Sequence, residues 1–80
     1  MSSSQFATLA QTLMDICVNL RLEGEKSLDV HDRYFKQALE NCLGVQHWYE
    51  ATDCNIHKHL ITYRNPTETV IAILKRLKEI

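Results

Sequence analysis

The sequence has very little glycine and proline: Gly24 and Gly44 are its only glycines, and Pro66 is its only proline. A fold made of many short strands needs these residue types at its turns, so the composition argues against a sheet-rich protein. Two isolated glycines also cannot form the glycine-rich loop that holds a nucleotide phosphate. The chain is therefore not expected to be a nucleotide-binding enzyme of that type.

Long apolar runs and a strong charge of either sign are also missing. No stretch approaches the ~20 apolar residues of a membrane span, and the first residues lack the charged and apolar regions of a signal peptide. The net charge is −1, from nine basic and ten acidic residues. Since affinity for nucleic acids comes mostly from neutralising phosphates, this balance does not favour a dedicated nucleic-acid binder. We expect a cytoplasmic protein without membrane contact.

Cysteine is present three times, at Cys17, Cys42 and Cys54. Three cysteines cannot all pair within one chain, and none belongs to a CxxC motif. Cys17 and Cys42 lie on predicted apolar faces, where a free cysteine behaves as a small hydrophobic side chain. The pattern predicts reduced thiols in a reducing compartment.

One group of histidines and a cysteine has the residue types of a metal site: Cys54, His57 and His59, with His47 earlier in the chain. On a helix, Cys54 and His57 share a face from which His59 points away, and the second ligand pair of a zinc site is missing. A catalytic thiolate–imidazole pair at Cys54 and His57 would lack a third orienting group. We predict no metal, no cofactor and no enzymatic activity.

The 80 residues form one domain, 1–80, with a marginal core for their size. In the first segment, apolar side chains recur at steps of three and four residues, which keeps one face of a helix towards a partner. These positions are Phe6, Leu9, Leu13, Ile16 and Leu20. We predict a helix over about 5–22, with Ser2 and Gln5 as a capping box and Gly24 as its left-handed end. Leu22 lies off the stripe and is expected to pack at the corner that follows.

Three further segments have helical periodicity. The second helix is predicted over about 29–43, with Phe35, Ala38, Leu39 and Cys42 buried and either Val30 or His31 one turn earlier. The third covers 45–63 and is either broken near 52–55 or a single kinked helix. A short strand over Ile56 to Tyr63 is an alternative, since a period of two also fits there. The fourth helix is predicted over 66–79, because Asn65-Pro66-Thr67-Glu68 has the features of a helix start. The fold class is all-α: a compact bundle of four short, largely antiparallel helices, or five if the third is broken.

The first and last helices carry more apolar surface than a single short bundle easily covers, and this favours self-association. Trp48 and Tyr49 are adjacent, so on a helix both cannot face one core, and exposed aromatic residues are frequent at interfaces. We predict a small, non-catalytic, intracellular protein that binds another protein, as a regulator, inhibitor or assembly factor, and forms a homodimer. The candidate contact residues are Phe6, Leu9, Leu13, Trp48, Tyr49, Leu77 and Ile80.

The alternative function is a small DNA-associated regulator. Leu43-Gly44-Val45 between two helical segments is similar to the turn of a helix-turn-helix, although Glu40 stands where that motif has a small residue. The residues that follow, including Glu50, are not those of a basic recognition helix. In this alternative, basic side chains would contact phosphates: Arg64, Lys75, Arg76 and Lys78.

Overall fold

Four α-helices make up most of residues 2–44, 56–63 and 65–79, which are the residues that the computed structural model describes. They are α1 (Ser3–Leu22), α2 (Leu28–Leu43), α3 (Ile56–Tyr63) and α4 (Pro66–Glu79). This part of the chain contains no strand, so the prediction of an all-α fold is confirmed and the strand alternative for 56–63 is wrong. The predicted break near 52–55 lies outside the described residues.

Helix α1 begins where the local sequence satisfies its first backbone groups. The Ser2 hydroxyl accepts a hydrogen bond from the Gln5 amide at 3.1 Å, and the Gln5 side chain accepts one from the Ser2 amide at 3.0 Å. This is the predicted capping box, and it satisfies two N–H groups that the helix leaves without a partner. At the other end, Gly24 has a φ of +74°, a conformation that costs glycine little because it has no Cβ atom.

Helix α4 begins at Pro66, which has no N–H group to satisfy and a φ already suited to a helix. The preceding residue, Asn65, acts as the cap: its Oδ1 accepts hydrogen bonds from the amides of Thr67 at 2.9 Å and Glu68 at 3.3 Å. The Thr69 amide then bonds to the Asn65 carbonyl at 3.0 Å. The first turn of α4 therefore has its donors satisfied from within the chain.

One cluster of buried side chains joins all four helices. Helix α1 contacts α2 and α4, and α3 contacts the same two helices. The radius of gyration of the Cα atoms, 11.6 Å, is that of a compact domain of this length, for which about 12 Å is expected. The cluster consists of Leu9, Leu13, Cys17, Phe35, Ala38, Leu39, Ile56, Leu60, Val70, Ile73 and Leu77.

On α2, His31 is buried and Val30 is half-buried. The sequence does not decide which of these two residues is buried, because valine and histidine both suit the edge of a core. Only 4% of His31 is exposed, and its Nδ1 lies 2.8 Å from the Ser27 carbonyl oxygen. Since a carbonyl only accepts, Nδ1 carries the proton and donates it. The buried ring thus has a hydrogen-bond partner for Nδ1, and it forms a T-shaped contact with the Phe35 ring at a centroid distance of 6.1 Å.

Candidate functional site

Three of the predicted contact residues lie in the core. Leu9 is 1% exposed, Leu13 is fully buried and Leu77 is 6% exposed. Each packs against apolar side chains of the other helices. In this conformation they expose almost no surface to a second molecule, because the chain's own helices cover these side chains of α1 and α4. Their role is to hold the four helices together.

Phe6 differs from these three residues, since it is half-buried at the edge of the core. The Nζ atom of Lys78 lies 5.5 Å from the centroid of its ring, within range of a cation–π interaction. Near the same end, the Cys42 thiol donates to the Gln5 carbonyl oxygen at 3.6 Å. The start of α1 is therefore packed against the ends of α2 and α4. Trp48, Tyr49 and Ile80 lie outside the described residues.

Within residues 2–44, 56–63 and 65–79, the large apolar side chains that reach the surface were not among the predicted contact residues. They are spread over the four helices: Val18, Leu22, Tyr34, Ile61 and Ile71. Among them Leu22 has the largest exposed fraction, 79%, and Val18, one turn earlier on the same helix, is 39% exposed. We call Val18 and Leu22 the outer apolar pair of α1.

The expectation that Leu22 packs at the corner after α1 is wrong. Leu22 follows Leu13 by nine residues, which is about two and a half turns at 3.6 residues per turn, so the two side chains point in opposite directions. Since Leu13 is at the centre of the core, Leu22 faces solvent. The signal was present in the helical spacing, and the nearby Gly24 turn does not bring the side chain back to the core.

The polar residues of the outer face of α1 satisfy one another. The Gln11 side chain donates to a carboxylate oxygen of Asp15 at 2.8 Å, and the Thr12 hydroxyl donates to the Thr8 carbonyl at the same distance. The outer apolar pair of α1 follows directly after this stretch. The outer face of α1 thus combines polar side chains with one exposed apolar pair near its C-terminal end.

The basic residues of the DNA-binding alternative lie in the second half of α4. Lys75, Arg76 and Lys78 are all exposed, and Lys78 is already engaged with the Phe6 ring. Arg64 lies outside the described residues. Arg76 and Lys78 lie in the last turn of α4, where their charges interact favourably with the helix dipole, and this gives them a structural role.

Cys17 has the environment of a structural thiol. It is 7% exposed, and burial raises the pKa of its thiol, while contact with the Thr67 side chain and the charge of Arg21 offset part of this effect. Cys17 and Cys42 are both unpaired. The predicted metal-type residues His47 and Cys54 lie outside the described residues, as does the side chain of His57. The described residues contain no group of three or more histidine, cysteine or acidic side chains placed to hold a metal ion.

Cys17 should alkylate slowly in the folded protein. Thiolate is the reactive form, and the raised pKa moves its formation to more alkaline pH than in the unfolded chain. With iodoacetamide at pH 8, we expect Cys17 to react at least about tenfold more slowly in the native protein than in urea.

Because the unfolded thiol loses its proton first as the pH rises, the contribution of Cys17 to stability should also fall above about pH 8.5.

Peptide mapping by mass spectrometry separates Cys17 from Cys42, which is half-buried and serves as the internal reference. Equal rates for Cys17 in native and denatured protein would show that its thiol is not protected by the core.

None of the helices in the described residues is long and apolar enough to cross a membrane. The features above define a small all-helical protein with one core and an apolar pair on the outside of α1. The chain matches no protein-family model, no curated protein and no solved structure.

Proposed function

We propose that this chain is a small, non-catalytic, intracellular protein that acts by binding another protein, as a regulator, inhibitor or assembly factor. The observation that carries the proposal is the outer apolar pair of α1, in which Leu22 is 79% exposed. Exposing a side chain of this kind gives up roughly 1.5–3 kcal/mol of burial free energy that a contact surface would recover. Because Leu22 does not belong to the core, its side chain is available to contact a partner.

The first partner that we propose is a second copy of the chain. A contact around a two-fold axis uses the same patch on both subunits, so one small patch is enough to start a symmetric interface. Two α1 helices that cross at their second halves would bring the two apolar pairs together. Such a contact is smaller than the ~1,000 Å² of a stable interface, so we expect a weak dimer, in the micromolar range or above.

A non-catalytic and intracellular role agrees with the cysteine chemistry. The Cys17 thiol has a raised pKa and so is a poor nucleophile at neutral pH. Two unpaired cysteines are typical of proteins from reducing compartments such as the cytoplasm.

The same proposal includes the packing of the helices as a largely antiparallel bundle. Phe6 and Lys78 meet near the start of α1 and the end of α4, whereas Cys17 and Thr67 meet near the end of α1 and the start of α4. Opposite directions for α1 and α4 account for both contacts.

Sedimentation velocity over a range of concentrations tests the homodimer. The wild type should approach twice the monomer mass as the concentration rises towards about 1 mM, and Leu22→Asp should stay monomeric, because it places a charge in the contact. Ile71→Asp is the matched control: Ile71 is 53% exposed on α4, outside the proposed contact.

A wild type that stays monomeric throughout would reject the homodimer. Dissociation by Ile71→Asp as strongly as by Leu22→Asp would reject the outer apolar pair as the contact. If the wild type instead retards duplex DNA in a gel, with binding that collapses at moderate salt and is weakened by Lys75→Gln, the DNA-associated alternative replaces the proposal.

A further inference from the structure

A cavity of about 450 Å³ opens at the end of the molecule where α1 finishes and α2 and α4 begin. Its size is within the range of roughly 300–1,000 Å³ that is typical of small-molecule sites. The residues around it come from two parts of the chain that are far apart in sequence, 17–31 and 65–67. They are Cys17, Arg21, Gly24, Glu25, Lys26, Leu28, His31, Asn65, Pro66 and Thr67.

On the inner wall of the cavity, several polar atoms already have hydrogen-bond partners. The His31 Nδ1–H group donates a hydrogen bond to the Ser27 carbonyl oxygen, and the ring packs against Phe35. The Asn65 Oδ1 atom is used to cap α4. Pro66 has no N–H group, and the next amides of α4 are already bonded, so the start of this helix is not the group that would hold an anion. With Leu28 and Pro66, the inner wall suits an apolar group.

Three of the residues around the cavity are charged. Arg21 and Lys26 are exposed, and within the described residues neither makes an ion pair with a carboxylate. The third charged residue, Glu25, uses its Oε1 atom to accept a hydrogen bond from the Ser27 amide at 2.9 Å. Two cations and one anion leave the cavity with one uncompensated positive charge.

We propose that this cavity binds a small organic molecule with one carboxylate group and an apolar body. The carboxylate would lie between the Arg21 guanidinium, whose planar fork can donate two hydrogen bonds to it, and the Lys26 ammonium group. The apolar body would lie against Leu28 and Pro66. A monoanion matches the single uncompensated charge, whereas a phosphate monoester, with close to two negative charges, would exceed it.

Benzoate is the probe for this site, with neutral benzamide as its isosteric control and phenyl phosphate as the dianionic one. In ¹H–¹⁵N spectra of the full chain, benzoate should cause saturable shifts of amides from residues 17–31 and 65–69. A fragment of this size should bind in the millimolar range. Benzamide should bind at least about fivefold more weakly, and phenyl phosphate no more tightly than benzoate.

Two exposed substitutions test the charged residues without disturbing the core. Arg21→Gln and Lys26→Gln should each weaken benzoate binding about fivefold, the effect of one partly exposed ion pair. Arg33→Gln is the matched control, because Arg33 is exposed on α2 but does not line the cavity, and it should leave binding unchanged. An unchanged melting temperature in all three variants shows that any loss is local.

Several results would overturn the proposal. They are shifts that do not saturate at millimolar benzoate, equal binding of benzamide, tighter binding of phenyl phosphate, and equal behaviour of Arg21→Gln, Lys26→Gln and Arg33→Gln. The protein concentration is held constant within each titration, so self-association contributes equally to every point, and the cavity and the proposed homodimer succeed or fail separately.

Discussion

Replacing Phe35 with alanine should remove about 3–5 kcal/mol from the free energy of unfolding, the largest loss that we expect from a single substitution here. Phe35 is fully buried, belongs to the cluster that joins the four helices, and supports the buried His31 ring. Alanine would leave a cavity that rigid neighbouring helices fill only in part. For a chain of 80 residues, total stability is about 4–12 kcal/mol, so the substitution should remove at least about a quarter of it.

Urea denaturation followed by circular dichroism at the helical wavelength measures this loss. Tyr34→Ala is the matched control, since Tyr34 is the neighbouring aromatic residue on α2 and is 48% exposed. It should cost less than about 1 kcal/mol. Equal costs for the two aromatic residues would mean that α2 does not present Phe35 to the core.

The second prediction compares two leucines of one helix. Leu13→Ala should lower the free energy of unfolding by about 2–5 kcal/mol, because Leu13 is fully buried and its loss removes apolar contacts and leaves a void. Leu22→Ala makes the same chemical change at a side chain that is 79% exposed, and should alter stability by no more than about 0.5 kcal/mol. Both variants remain helix formers, so propensity does not separate them.

The comparison needs dilute protein, because self-association would add to the apparent stability of any chain that dimerises. When the measurement is repeated at high protein concentration, self-association should raise the free energy of unfolding of the wild type relative to that of Leu22→Ala. It should not raise it relative to that of Ile71→Ala. If Leu22→Ala costs as much as Leu13→Ala in dilute solution, the orientation of α1 is not the one described above.

Local rules gave correct information about the helix ends. The Ser2–Gln5 capping box and the Asn65 cap are formed by residues within three positions of one another, so the sequence alone specifies their hydrogen bonds. The left-handed Gly24 follows in the same way, because no other residue type adopts that conformation as easily.

The candidate surfaces were harder to predict. A stripe such as Leu9 and Leu13 is equally suited to a core and to an interface, and only the positions of the other helices decide between them. The structure places both in the core and leaves Leu22 outside. The helical spacing places Leu22 opposite Leu13, but only the packing of the other helices decides which of these two sides of α1 is buried.

The sequence by itself determined that this protein is helical and where α1 and α4 begin, because periodicity and capping depend on residues a few positions apart. Only the tertiary structure decided that His31 is buried, and that Cys17 meets Thr67 beside a cavity whose charged residues are Arg21 and Lys26. These contacts join residues as many as 50 positions apart in the chain, since α1 ends where α4 begins. Their formation depends on how the helices pack, and no local pattern in the sequence encodes that arrangement.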